Sequence, residues 1–193
     1  MTDYQSHVTF DRAFTVRQCE RIVALGDALH VDEAVLSGIE SPDAALRRSR
    51  VAWIARTPDS AWIFEKLSAL VVRANRTFAF DLDGFGEDLQ YTVYDEPGAF
   101  YTWHQDGLVG EVATRKLALV VQLSDPSSYE GADLEMFDVV ADSSPAELDA
   151  WHAGVRAMGS VTAFPAFEYH RVTPLTSGTR RSLVVWVSGP PFR

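Results

Sequence analysis

From Leu89 to Arg193 the sequence is a succession of short β-rich runs separated by turn signals, and this texture constrains the fold more than any other feature. The expected strands are residues 89–94, 100–105, 116–123, 133–137, 159–164, 169–172 and 182–187. Runs this short and this numerous pair into a sandwich or barrel, where each hides one face against the others. Upstream the period changes. Val16, Cys19, Ile22, Val23, Leu25 and Leu29 recur at helical spacing behind Thr15, which is placed to cap the first turn. Residues 50–56 alternate as a strand does, and a second helix is expected from near Ser60 to Phe78, with Ile63, Leu67, Leu70, Val71 and Ala74 inward. Helices followed by strands predict an α+β fold, with the helices on the outside of a β-sandwich. Ser144-Pro-Ala-Glu147 has capping-box spacing, so a short helix over 145–152 is expected inside the 138–158 insertion, where lids and plain surface excursions both occur.

A chain of 193 residues fits one domain spanning 1–193. Its 47% hydrophobic and 23% charged residues are those of a soluble globular protein. No apolar run approaches the roughly 18 residues of a membrane span, and Met1-Thr-Asp-Tyr-Gln5 has neither the basic start nor the apolar segment of a signal peptide, so a cytoplasmic location is expected. The single cysteine, Cys19, excludes an internal disulfide and a thiolate-rich zinc site; with Val16 and Val23 it reads as a buried small residue. A net charge of −10 makes nucleic acid or an anionic membrane a poor partner and tilts the expected substrate toward a cationic or peptidic one.

Chemistry is concentrated at His104-Gln-Asp106, where a histidine and a carboxylate two residues apart leave one face of a strand and can meet at one cation. The pair alone carries little weight. With 5 histidines and 27 acidic residues among 193, chance supplies roughly 0.7 such pairs, and His30-Val-Asp32 is a second copy, read as a helix terminus. Asp81-Leu-Asp-Gly-Phe-Gly-Glu-Asp88 fails as a calcium loop, because Phe85 and Thr92 stand where ligands are required; a solvated turn is expected there. Oxygen-activating Fe(II) is commonly held by two histidines and one carboxylate on one face. Of the other histidines only His170 lies in a convincing strand, since His7 is in the terminal arm and His152 on the short helix. Ten residues later Arg180 and Ser182 share one strand face and could grip a carboxylate together, as the far end of a keto acid requires; Arg181 points the other way.

At these residues the chain resembles the Fe(II)- and 2-oxoglutarate-dependent oxygenases, in the branch of prolyl 4-hydroxylases and bacterial PKHD-type hydroxylases. Tyr94, Gly98, Tyr101, His104 and Asp106 are similar to that family's Tyr-Gly-Tyr-His-x-Asp block, with one extra residue between Tyr94 and Gly98. Leu123-Ser-Asp-Pro126 with Tyr129-Glu-Gly131 resembles its central strand and turn, and His170 to Pro174 with Gly178-Thr-Arg180 its distal histidine block. The resemblance implies a double-stranded β-helix (jelly-roll) core with N-terminal buttressing helices. It also implies Fe(2+) held by His104, Asp106 and His170; 2-oxoglutarate held by Tyr94, Arg180 and Ser182; a substrate pocket lined by Tyr101 and Trp186; and O2 as oxidant with ascorbate in a supporting role. The expected activity is hydroxylation of an unactivated C–H in a prolyl or peptidyl residue, an amino acid or a related small molecule, with succinate and CO2 formed. Asp106 favours hydroxylation over halogenation, since related halogenases lack that carboxylate. The rival in another class is a non-catalytic jelly-roll binding module, in which the three residues need not converge. A zinc hydrolase would leave Arg180 and Ser182 unexplained, and no Gly-x-Ser-x-Gly elbow supports a serine hydrolase.

Overall fold

The computed structural model describes residues 4–29, 32–33, 46–108 and 110–192. The first half holds β1 (Val8–Phe10), α1 (Val16–Asp27), β2 (Asp32–Glu33), β3 (Arg47–Arg48), β4 (Arg50–Ile54) and α2 (Ala61–Phe78). The strand-rich half begins with β5 (Leu89–Tyr94), β6 (Phe100–His104), β7 (Arg115–Gln122), β8 (Tyr129–Gly131) and β9 (Leu134–Met136). It continues through α3 (Phe137–Asp142), α4 (Pro145–Arg156), β10 (Val161–Pro165), β11 (His170–Val172), β12 (Leu175–Gly178) and β13 (Arg180–Ser188). His30 of the second His-x-Asp copy lies outside the described residues.

Every pairing is antiparallel: β1-β10-β7-β13-β5-β4-β2 form a large sheet, β3-β6-β11-β9 a smaller one, and β12-β8 a ribbon. All residues of β5 and β7 are buried, because both faces of the large sheet are covered. The strand period of two then sorts them by chemistry. Leu89, Tyr91, Val93, Leu117, Leu119, Val121, Leu183 and Val185 pack with Cys19, Ile22, Ile63, Leu67 and Leu70 of the two long helices. The alternate positions, among them Gln90, Tyr94, Val120, Arg180, Ser182 and Trp186, line a cavity shared with Tyr101, His104 and His170 of the small sheet. Burying a polar row is costly unless it finds partners: Gln90 donates to Thr92 (3.0 Å) and Gln122 to Tyr129, and Gln90 and Ser182 also face the cavity.

Two local expectations need correction. Val16 and Leu29 are exposed, although the helical period placed them inward. The face of α1 that packs carries Cys19, Ile22 and Gly26, and a Cβ on Gly26 would sit 2.4 Å from the Tyr91 ring, so the helix meets the sheet at a glycine that an apolar count overlooks. The expected short helix begins where its capping box put it, at Ser144, but runs to Arg156 and follows a further helix, α3. Trp151 Nε1 donates to the Leu134 carbonyl (3.1 Å) and Arg156 to Asp133 (2.5 Å), which ties α4 to β9.

Gly159 has φ +84°, and a Cβ there would lie 2.0 Å from the Phe14 carbonyl oxygen. Gly159→Ala is expected to cost about 2–3 kcal/mol and lower the thermal midpoint by roughly 5–10 °C. Gly154→Ala, in α4 with nothing within 4 Å of its new methyl, is expected to raise it slightly. Parallel thermal melts of the two variants check both signs.

Candidate metal centre and its cavity

The site is built on a bulge. His104 of β6 faces His170 of β11, and Tyr101 faces Val172, so three steps along β6 match two along β11. The extra residue turns both Tyr101 and His104 toward the sandwich interior, which ordinary alternation forbids. Their rings stack at 3.4 Å between centroids and 14° between planes. β6 ends at His104, so Asp106 is presented by the following turn and not by the strand as expected; its N–H and that of Gly107 donate to the Ala166 carbonyl (2.8 and 3.1 Å).

His104 Nε2 lies 3.5 Å from Asp106 Oδ1, and His170 Nε2 lies 3.6 Å from Asp106 Oδ2. The three donor atoms fall within 4.8 Å of one another. Each imidazole is oriented from behind, His104 Nδ1–H donating to the Thr102 carbonyl (2.8 Å) and His170 Nδ1–H to that of Glu168 (3.0 Å). A carbonyl can only accept, so the proton is on Nδ1 and the Nε2 lone pairs point at the carboxylate. Burial, then the neighbouring His104, pushes His170 down to about 4, so it is a neutral ligand at physiological pH. Burial alone would raise the Asp106 carboxyl; the two imidazoles outweigh it and hold the group below the usual carboxylate range. Asp106 Oδ2 is buried with no hydrogen-bond partner. Two lone pairs and an unpartnered carboxylate oxygen turned to one point fit a cation, and N2O donation on one face is the set that suits Fe(II).

The cavity of about 90 Å³ has room for a ligand of several heavy atoms, one water needing about 10–15 Å³. Tyr94 and Arg180 are cross-strand neighbours in it, with the guanidinium 5.5 Å from the phenol ring centroid. The extra residue after Tyr94 is taken up by a turn in which Gly98, at φ +81°, donates to the Leu175 carbonyl (2.7 Å), so Tyr94 keeps its register. Arg180 is 3% exposed and has no ion-pair or hydrogen-bond partner among the described residues. A buried unpaired guanidinium is a strong demand for an anion. Ser182 and Trp186 follow on the same face of β13, while Arg181 points away and donates to Asp27 (3.3 Å). His7 packs edge-on against Trp151, and His152 lies 3.2 Å from Glu135; neither joins the triad.

Arg115 was not anticipated from sequence. It donates twice to Glu87 (2.6 and 2.5 Å), donates to the Asp106 carbonyl (3.2 Å) and lies 3.6 Å over the Trp186 ring. The segment read as a solvated turn therefore supplies, in Glu87, a brace for the turn that carries Asp106. Nothing in the linear spacing of residues 28 apart signals such a pair. Arg115→Gln is expected to weaken Mn(II) or Fe(II) binding by roughly 10-fold, read by metal titration, because supports of this kind orient the ligand they touch.

A β-sandwich that turns two imidazoles and a carboxylate to one point is a metal-binding fold of the two-histidine, one-carboxylate class. The sequence profile of the 2OG-Fe(II) oxygenase superfamily matches residues 89–188, and the chain belongs to that superfamily. Fe(2+), 2-oxoglutarate and O2 are the cofactor and co-substrates that this membership implies, and the donor set fits the metal. The chain is 33% identical over 92 residues to a PKHD-type hydroxylase of Synechococcus sp. (strain CC9902), covering 48% of this chain and 37% of that protein. It is 36% identical over 94 residues to one of Hyphomonas neptunium, covering 47% and 38%. It thus spans under two fifths of the length of these curated relatives. In fold it matches a Pseudomonas putida prolyl-4-hydroxylase (TM-score 0.68, 20% identity, 96% of this chain and 93% of that one). It also matches a prolyl hydroxylase from Trichoplax adhaerens solved with a hypoxia inducible factor oxygen degradation domain peptide fragment (TM-score 0.73, 13% identity, 95% and 83%). Among the described residues no helix is long and apolar enough to cross a membrane.

Proposed function

We propose that the chain is an Fe(II)- and 2-oxoglutarate-dependent hydroxylase acting on an unactivated C–H of a prolyl or peptidyl residue, an amino acid or a related small molecule, with succinate and CO2 as co-products. The observation that carries the reading is the meeting, in one cavity, of the His104–Asp106–His170 donor set with the unpaired Arg180. A binding module without redox chemistry has no use for that combination. We read the sandwich as a double-stranded β-helix buttressed by α1 and α2, in a single domain spanning 1–193.

In this reading His104 Nε2, Asp106 and His170 Nε2 hold the metal. Arg180 and Ser182 take the distal carboxylate of 2-oxoglutarate, and the Tyr94 hydroxyl donates to the co-substrate. Iron and the keto acid together supply the oxidising power that activates O2 for C–H hydroxylation. The protein's share is orientation and dryness. The backbone carbonyls of Thr102 and Glu168 fix the imidazole tautomers, Arg180 neutralises the co-substrate without solvent, and Val120, Val184 and Trp186 exclude water from the reacting centre. The peptide held by the T. adhaerens prolyl hydroxylase supports including peptides among the substrates.

The test is mass spectrometry of candidate amino acids and peptides after incubation with Fe(II), ascorbate, O2 and 2-oxoglutarate. A gain of one oxygen matched by succinate is expected. Oxygen insertion that proceeds without 2-oxoglutarate would contradict the proposal.

A further inference from the structure

The cavity wall contains a charge that the metal, the keto acid and the ion pairs described above leave unmatched. Three guanidiniums, Arg47, Arg115 and Arg180, face it, and among the described residues Asp106 is the only carboxylate in its lining. This is opposite in sign to the chain as a whole, whose net charge is −10. Two of the three are accounted for. Arg115 is committed to Glu87. With Fe(II), the 2-oxoglutarate dianion and ionised Asp106 in place, Arg180 brings their sum to zero. Arg47 remains.

Arg47 is held in place from two sides. It is the cross-strand partner of Tyr101, 7% exposed, and its Nε–H donates to Ser49 Oγ (2.7 Å). Its guanidinium lies 4.6 Å over the Tyr101 ring, whose stacking partner is the His104 imidazole. Serine takes the Nε–H, and among the described residues the terminal nitrogens have no hydrogen-bond partner and no carboxylate within ion-pair distance. A guanidinium oriented by packing on one side and by its Nε–H on another presents a planar fork, the geometry that binds a carboxylate through two parallel hydrogen bonds.

We infer that Arg47 anchors a carboxylate of the substrate, so that the hydroxylated molecule is an acid, either a free amino acid or related carboxylic acid, or the terminal residue of a peptide, and not a neutral internal residue. The inference rests on the oxygenase reading above. In the loaded site the anion would complete neutrality in a water-poor cavity, where an unmatched charge is costly. It would also lie two ring contacts from a metal ligand, close enough to fix which carbon faces the metal.

The experiment follows the visible charge-transfer band of the anaerobic Fe(II)–2-oxoglutarate chelate while ligands are added. The probes are L-amino acids with their primary amides, and short peptides with free or amidated C termini. The wild-type band is expected to shift at roughly 10- to 100-fold lower concentration for acids than for matched amides, the range for a hydrogen-bonded ion pair. Arg47→Gln should form the band yet lose that preference, and Arg47→Lys should keep part of it. A response to free amino acids alone assigns the carboxylate to a small molecule; a response to free C termini assigns it to a peptide. Equal response to acids and amides, no response to any acid, or a preference that survives in Arg47→Gln would overturn the inference while leaving the oxygenase reading intact. Failure of the wild type to form the band would overturn both.

Discussion

Asp106→Ala is expected to reduce Fe(II)-dependent conversion of 2-oxoglutarate to succinate by more than about 100-fold, since loss of a ligand exceeds the 10- to 100-fold effect of losing its support. The same substitution should not destabilise the metal-free protein. Without metal the cost of burying the carboxylate is set against its attraction to the two imidazoles, so its removal leaves the stability of the fold little changed. The stabilisation that metal confers should vanish, however. Wild-type protein at a hundredfold excess of metal over its dissociation constant gains about 2.7 kcal/mol, and Asp106→Ala should gain almost none. Thermal melts with and without Mn(II) read both halves. A variant that melts lower than wild type in chelator would show that Asp106 holds the fold by contacts other than a metal.

The second large effect is expected at Arg180. Arg180→Gln should raise the KM for 2-oxoglutarate by roughly 100- to 5,000-fold, because removing one member of a buried charge pair costs about 3–5 kcal/mol. Metal binding measured without the keto acid should be unchanged, as among the described residues no hydrogen bond or ion pair joins Arg180 to the triad. Arg180→Lys should fall between, keeping the charge but losing the planar fork. Steady-state kinetics at varied 2-oxoglutarate separates this from a general loss of activity. A fall in kcat at unchanged KM would place Arg180 in structure and not at the keto acid.

The sequence carried the parts of this site that follow the strand period. Arg180, Ser182 and Trp186 share a face because they are spaced by even steps on one strand, and Tyr94 meets Arg180 because both strands keep a regular register. What escaped is whatever breaks the period or crosses between distant segments. The bulge that brings Tyr101 against His104 is one inserted residue, with no local signature in Thr102-Trp103. Arg47 has no spacing in the sequence that marks it, and Glu87 sits in a segment read as a turn, because their partners come from other strands. Net charge is a blunt guide to a ligand for a related reason: it sums over the whole chain, whereas a ligand meets only the inward-facing side chains.

One measurement bears most directly on the central claim: succinate formed from 2-oxoglutarate by wild type and by His170→Ala, with and without Fe(II), in air. Iron-dependent succinate from the wild type and none above background from His170→Ala is the predicted result. Equal turnover by the two proteins, or turnover indifferent to iron, would contradict the assignment of His104, Asp106 and His170 as the metal centre.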